Sequence, residues 1–147
     1  MKPILIAVAL LAGTFTKSFA AEVPAVEPTV LKSFNTTFAN ATEVDWSTTT
    51  NDLYKAKFAL NGRYVTAYYT ADGTMAALTR HISASELPVI LQTNLKNNTK
   101  GKWVTDVLEV TNDSSVHYYV TLENADTKVV LKSSSTYWST FQKQHKD

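Results

Sequence analysis

The sequence predicts an α+β fold in which a helix followed by a four-stranded antiparallel meander occurs twice in tandem, with both helices packed on one face of the sheet. Three observations predict it. Alternating apolar and polar segments are joined by tight turns, the clearest being Asn61-Gly62 and Asp72-Gly73. Two amphipathic segments with helical spacing each precede a group of such strands. The apolar positions of the two halves also match at a constant offset. Because short Asn-Gly and Asp-Gly turns favour antiparallel hairpins, a meander is the expected topology.

The N-terminus has the pattern of a secretory signal peptide. Lys2 is followed by the apolar run Ile4 to Leu11, and Ser18-Phe19-Ala20 has small residues at the two positions that signal peptidase recognises. The run is shorter than the roughly 20 residues that a membrane-spanning helix needs. The predicted organisation is a signal peptide (1–20), a flexible leader (21–28), a folded domain (29–141, with repeat one at about 29–82 and repeat two at about 83–141) and a polar tail (142–147).

Composition narrows the functional class. Removing residues 1–20 takes Lys2 and Lys17 from the 14 basic residues, which leaves 12 against 13 acidic residues and a net charge near −1. A nearly neutral domain argues against binding to nucleic acid or to an anionic membrane surface. The chain has no cysteine, which excludes thiol nucleophiles, redox pairs and thiolate metal sites. We expect a bacterial protein that is periplasmic or secreted, with no stable membrane insertion after signal cleavage.

The first half begins with a helix from Thr29 to about Asn40. Val30, Leu31 and Phe34 recur at helical spacing, and Thr29 is the expected N-cap. Four alternating strands follow, over 41–48, 52–60, 63–70 and 74–82. Asn61-Gly62 suits a type I′ turn between the second and third strands, because both of its central residues need positive φ.

The second half begins with a helix over 83–98, and one of its faces carries Leu87, Ile90, Leu91, Asn94 and Leu95. Two N-caps compete. Ser83 and Glu86 match a capping box, whereas Ser85 would place Pro88 in the first turn, where its missing N–H costs nothing. We favour Ser85. Strands follow over 102–111, 115–123 and 127–133, and the segment 134–141 is either an edge strand or a short helix.

The two halves register at an offset of 64 residues. Tyr54 and Tyr118, Ala56 and Val120, and Phe58 and Leu122 are examples, and the outward positions do not match. The same ungapped offset pairs Leu31 with Leu95, Val44 with Leu108, Trp46 with Val110, Val65 with Val129, and Ala67 with Leu131. Two copies that share a fold but not a surface would produce this pattern.

The motifs of the first half resemble those of the PepSY-like (beta-lactamase-inhibitor-like) family of small exported proteins, common in the Bacteroidota. The residues that carry the resemblance are Phe34 and Phe38, Val44-Asp45-Trp46, Tyr54 and Phe58, Asn61-Gly62, Ala67-Tyr68-Tyr69, and Asp72-Gly73. The resemblance implies tandem helix-plus-sheet units whose sheets form one broad concave face, and it suggests an inhibitory or binding role by fold analogy. In the second half, Thr136-Tyr137 stands in place of Asp72-Gly73.

The sequence shows no catalytic or metal-binding motif. His81, His117 and His145 are far apart, and none has a second histidine at the spacing of a metal site. No Gly-x-Ser-x-Gly elbow, phosphate-binding glycine loop or calcium loop is present. We therefore expect no cofactor, no metal and no enzymatic activity, and the leading hypothesis is a module that binds a protein partner.

The candidate binding residues lie on the sheet face opposite the helices. If Tyr54, Phe58, Val65, Ala67 and Tyr69 pack on the helices, the other face carries tyrosines with basic and hydroxyl neighbours, a composition that suits a protein interface. The candidates are Lys55, Lys57, Tyr64, Thr66, Tyr68, His117, Tyr119 and Thr121. The faces could also be inverted, since both sides of the third strand carry a tyrosine. The alternative hypothesis is an enzyme or small-ligand carrier with a pocket between sheet and helices.

Overall fold

The computed structural model describes residues 24–147, which form one eight-stranded antiparallel sheet and two α-helices. The predicted signal peptide and the first residues of the leader, 21–23, lie outside the described residues. The elements are α1 (Pro28–Thr37), β1 (Thr42–Thr48), β2 (Tyr54–Leu60), β3 (Arg63–Tyr69), β4 (Met75–His81), a 3-10 helix (Ala84–Glu86), α2 (Val89–Lys96), β5 (Trp103–Asn112), β6 (Ser115–Glu123), β7 (Thr127–Ser134) and β8 (Tyr137–His145). The strands lie in chain order across the sheet, so the α+β class and the meander are confirmed.

The Asn-Gly turn fixes the register of the central hairpin. Asn61 and Gly62 both have positive φ, at 51° and 77°, as a type I′ turn requires. Every residue of β2 is therefore paired with one of β3, from Leu60 with Arg63 to Tyr54 with Tyr69. This unbroken ladder fixes which side chains of the two strands share a face.

Helix α1 covers the first half of the sheet. Val30 and Phe34 are buried, and the Phe34 ring lies 5.0 Å from that of Phe58 and 5.2 Å from that of Trp46, both edge to face. Val65, Ala67 and Tyr69 belong to the same buried cluster, with Tyr54 packed against it, so the predicted choice of face is confirmed. Leu31, expected in the apolar stripe, is exposed, because one helical turn presents only Val30 and Phe34 to the sheet.

Helix α2 covers the second half but begins differently from the prediction. Ser83 and Glu86 form the capping box of the 3-10 helix. Pro88, with ψ of 138°, separates that helix from α2, so the preferred Ser85 cap is wrong. This arrangement is favoured because the Glu86 carboxylate accepts a 2.9 Å hydrogen bond from the Ser83 N–H, which would otherwise lack a partner at the start of the helix. Leu87, Leu91 and Leu95 are buried against the sheet as predicted, whereas Ile90 is exposed.

The C-terminal segment is a strand that extends beyond the predicted end of the domain. β8 runs from Tyr137 to His145 and pairs with β7 along its length. Residues 142–145, expected in a polar tail, are therefore part of the sheet. Their polar side chains concealed the strand because an edge strand leaves most side chains in water, and all of them here are exposed.

The sheet face opposite the helices, here called the helix-free face, has a buried centre of its own. The buried residues of this cluster are Tyr68, Ala77, Leu108, Val110, Tyr119 and Val130. Their neighbours along the strands, such as Val107 and Val120, pack under α2 instead, as the two-residue period of a strand requires. The face is thus apolar in the middle and polar around it.

The proposed offset of 64 holds for only part of the chain. Ala56 and Val120 both face a helix, as do the other matched pairs of β2 with β6 and β3 with β7. Trp46 and Val110 do not, because Trp46 packs on the helix side and Val110 belongs to the helix-free face. An ungapped repeat is therefore wrong for β1 and β5, and an internal duplication stays a prediction.

Candidate functional site

A groove of about 360 Å³ lies on the helix-free face, across β2 to β5. Five of the eight predicted site residues line it, namely Lys55, Lys57, Tyr64, Thr66 and Tyr68. The remaining lining residues are Thr79, Arg80, His81, Asp106 and Leu108. We refer to this feature as the β2–β5 groove.

Strand register brings the five predicted residues together. Lys55 is paired with Tyr68 and Lys57 with Thr66 across β2 and β3, so each lysine has a hydroxyl-bearing neighbour. Alternate residues of a strand point to the same face, which adds Tyr64 to the group. The Asn-Gly turn, through its register, thus builds half of the groove.

Two tyrosines of the groove play different physical roles. Tyr64 is 58% exposed, whereas Tyr68 is only 5% exposed. Burial raises the pKa of the Tyr68 hydroxyl, partly offset by its hydrogen bond with Thr79. Tyr68 therefore forms the floor of the groove, and the expectation that it is an exposed contact residue is wrong.

The three candidates from the second half lie outside the groove, on β6. Tyr119 and Thr121 are buried, at 7% and 3% exposed, so their predicted exposure is also wrong. Tyr119 is covered by Phe141, 5.2 Å away between ring centroids. His117 is half-buried and lies 3.1 Å from the Ser115 hydroxyl. The alternation of residues along β6 identified their face correctly. It could not show that side chains from other strands would cover that face.

The exposed end of the groove is organised by Tyr64. Its hydroxyl donates a 2.5 Å hydrogen bond to the Glu43 carboxylate, and that hydrogen bond together with the carboxylate charge raises the pKa of Tyr64. The Lys57 ammonium lies 5.3 Å from the centre of the Tyr64 ring, within range of a cation–π interaction. Tyr64, on β3, is thus held in place by partners on β1 and β2.

The other end of the groove carries an ion pair that the sequence did not indicate. His81 Nδ1 lies 2.7 Å from Asp106 Oδ1. Arg80, between Thr79 and His81 on β4, points to the opposite face, where it donates two hydrogen bonds to Glu109, at 2.6 and 3.3 Å, and this partner raises the pKa of Arg80. The alternation of β4 could have placed Thr79 and His81 on the same face as Ala77, but only pairing of β4 with β5 brings in Asp106.

The groove is equipped for non-covalent binding. Within residues 24–147, no group of three or more histidine and acidic side chains could hold a metal ion. Ammonium groups, hydroxyls and an aromatic ring can instead supply hydrogen bonds and contact area.

Solved structures from Bacteroides share this fold. A protein from Bacteroides eggerthii, provisionally described as periplasmic, has a TM-score of 0.73 at 14% identity, covering 83% of this chain and 90% of the other. A DUF2874 family protein from Bacteroides ovatus has a TM-score of 0.72 at 18% identity, with coverage of 83% and 89%. A BLIP-like protein from Bacteroides fragilis has a TM-score of 0.68 at 20% identity, with coverage of 85% and 89%.

These likenesses support the beta-lactamase-inhibitor-like fold. None of the three descriptions names an enzymatic activity. No family model matches the sequence, and no curated protein matches it either, so the PepSY-like assignment stays a prediction. Neither helix within residues 24–147 has the length and apolar character needed to cross a membrane. The chain therefore has a mostly antiparallel α+β fold that similar proteins of Bacteroides also adopt.

Proposed function

We propose that this protein is an exported, non-catalytic binding module that engages an envelope or secreted protein through the β2–β5 groove, as an inhibitor or a sensor-type partner. The observation that carries the proposal is the groove itself, in which an exposed tyrosine and two lysines border a buried apolar floor. An apolar centre with a polar rim is the usual anatomy of a protein interface.

Tyr64 is the expected anchor of the interface. A tyrosine offers a large contact area with few rotatable bonds, and Tyr64 is already oriented by Glu43 and Lys57. Little side-chain freedom would therefore be lost when a partner binds.

The predicted signal peptide and the fold both support an envelope location. The sequence pattern at residues 1–20 is typical of export, and the similar protein of Bacteroides eggerthii is provisionally described as periplasmic. We accordingly place this protein in the periplasm or outside the cell. The likeness to a BLIP-like protein favours a binding role over catalysis by analogy of fold.

We further infer that the two halves arose by duplication, with one gap. Val30 and Phe34 are the buried residues of α1, and Leu91 and Leu95 hold the equivalent positions in α2. The offset between equivalent residues of the two helices is 61, and it is 64 from β2 and β6 onward. The longer β5–β6 hairpin accounts for the three additional residues, and a duplicated PepSY-like domain would retain this arrangement.

Tyr64 and Tyr137 provide a matched test. Both are tyrosines on strands, 58% and 59% exposed, but only Tyr64 lines the groove. A photoreactive amino acid at position 64 should cross-link a discrete envelope protein in the native host, and the same group at position 137 should not. The Tyr64→Ala protein should lose that partner in a pull-down, and Tyr137→Ala should retain it. Equal retention by both variants would contradict the proposal.

A small-ligand carrier is the second candidate. The space between helices and sheet is filled by side chains such as Val30, Phe58 and Leu91, which disfavours the predicted pocket there. The β2–β5 groove, however, has a volume at the lower end of the range for ligand sites, roughly 300–1,000 Å³. Native mass spectrometry of the protein isolated from its host would show a retained small molecule if this candidate is correct.

A further inference from the structure

We infer that the β2–β5 groove binds an extended acidic segment of a partner protein, with carboxylates at alternate positions along that segment. This inference rests on the proposed function, because it specifies the partner of the same groove. Two observations support it: the spacing of Lys55 and Lys57, and the fact that nearby carboxylates are already hydrogen-bonded to other side chains.

The two lysines are ammonium groups without carboxylate partners. Among the ion pairs of residues 24–147, neither Lys55 nor Lys57 takes part. Two nearby carboxylates are already engaged, Glu43 by the Tyr64 hydroxyl and Asp106 by His81. An ammonium group has three donors and no acceptor, so an incoming carboxylate is the complementary ligand.

The lysines also define a spacing. They are two residues apart on β2 and point to the same face, so their attachment points are about 6.8 Å apart. The side chains on one face of an extended peptide repeat at the same distance. A segment lying along β2 could therefore present both carboxylates at once, whereas carboxylates on adjacent residues would point to opposite sides.

One hydroxyl group reinforces this pattern. Thr66 is paired with Lys57 and adds a half-buried hydroxyl beside that ammonium group, whereas Tyr68, paired with Lys55, is buried beneath the binding surface. Asp45 is the opposing charge, because it lies directly across from Lys57 on β1 without forming an ion pair with it in the described chain. Its repulsion should weaken the binding of an acidic segment.

Two synthetic peptides of identical composition test the inference. Acetyl-Gly-Thr-Glu-Thr-Glu-Thr-Gly-amide has alternating carboxylates, and acetyl-Gly-Thr-Thr-Glu-Glu-Thr-Gly-amide has adjacent ones. NMR titration of the full mature protein measures both affinity and location. We expect the alternating peptide to shift β2 and β3 amide signals and to bind roughly three- to tenfold more tightly, the ratio that one or two exposed ion pairs provide.

Charge variants complete the design. Lys55→Gln plus Lys57→Gln should abolish the difference between the peptides, and Asp45→Asn should strengthen binding of the alternating peptide about twofold. Lys32→Gln plus Lys96→Gln, on the exposed surfaces of the two helices, removes the same charge and should change neither affinity. Circular dichroism confirms that each variant is folded.

The outcomes separate this inference from the proposed function. Equal affinities for the two peptides, signal shifts outside the groove, or no shifts at millimolar peptide would overturn the acidic-segment inference. In each of those cases cross-linking from position 64 still decides whether the groove binds a protein. A partner that cross-links there but binds equally well to the Lys55→Gln plus Lys57→Gln variant would leave the proposed function intact and refute this inference alone.

Discussion

The indole N–H of Trp138 donates a 3.0 Å hydrogen bond to the backbone carbonyl of Leu91, and the bond is buried. It joins the last strand to the second helix, two elements that are separated by three other strands in the chain. The Asn94 side-chain amide donates a second hydrogen bond between the same elements, to the Thr136 carbonyl. The C-terminal strand is thus fixed to the helix as well as to the sheet.

We predict that Trp138→Phe destabilises the protein by about 2 kcal/mol, because it removes a buried hydrogen bond and part of a packed ring. The free energy of unfolding, from urea denaturation, measures this. Trp103→Phe is the control, since Trp103 is exposed and its replacement should change the free energy by less than about 0.5 kcal/mol. Equal effects of the two substitutions would contradict the assigned role of Trp138.

We predict that Gly73→Ala is more destabilising than Gly62→Ala. Both glycines have positive φ, at 86° and 77°, which costs a non-glycine residue about 1–2 kcal/mol. At Gly73 an added Cβ would also lie 2.9 Å from the Thr29 carbonyl oxygen, whereas at Gly62 it would meet nothing within 4 Å. Thermal unfolding of the two variants measures the difference, and equal losses would show that α1 can move away from the turn.

We predict that the contribution of Glu86 to stability depends on pH. Its 2.6 Å ion pair with Arg63, and then its hydrogen bonds with Ser83, lower the pKa of Glu86 from 4.5 to about 2. Because the folded-state pKa is lowered, the stabilisation is complete above about pH 4.5 and is lost as the pH falls toward 2.

Urea denaturation of the native protein and the Glu86→Gln variant across this range tests the prediction. The native protein should be the more stable at pH 7, and the two should converge near pH 2. Arg63→Gln should reduce the same pH-dependent difference. The ion pair would be contradicted if the free energies of unfolding of the native and Glu86→Gln proteins differed by the same amount over the whole pH range.

We predict that Tyr69→Phe is neutral or stabilising, by up to about 1 kcal/mol. The Tyr69 hydroxyl is buried and has no hydrogen-bond partner within the described residues, and such a group costs free energy that its removal restores. Urea denaturation at neutral pH measures the change. A clear destabilisation would indicate that the hydroxyl is hydrogen-bonded by a water molecule.

The same residue should affect stability at alkaline pH. Burial raises the pKa of Tyr69 from 10.0 to about 12, so the unfolded chain loses its proton first and stability falls between those values. Phenylalanine at position 69 removes this part of the decline. Parallel curves for the native and Tyr69→Phe proteins over that range would contradict the assigned burial.

Local chemistry made much of the fold predictable. The bounds of β6, Ser115–Glu123, agree with the prediction, because alternation and flanking turn residues are properties of the strand itself. The Asn61-Gly62 turn determined the register of β2 and β3, and hence five residues of the groove. The start of α2 was not predictable to the same degree, since two plausible caps lay within three residues of each other.

The sequence by itself determined the antiparallel meander, the two helical stripes and which residues of the central strands share a face. It could not determine that Tyr68, Tyr119 and Thr121 would be buried, or that His81 would meet Asp106, because both depend on residues distant in the chain. The period of a strand assigns a side chain to a face, but only the packing of the completed sheet decides whether water still reaches that face. For this protein, the tertiary structure therefore decided which part of the helix-free face is an accessible groove and which part is buried.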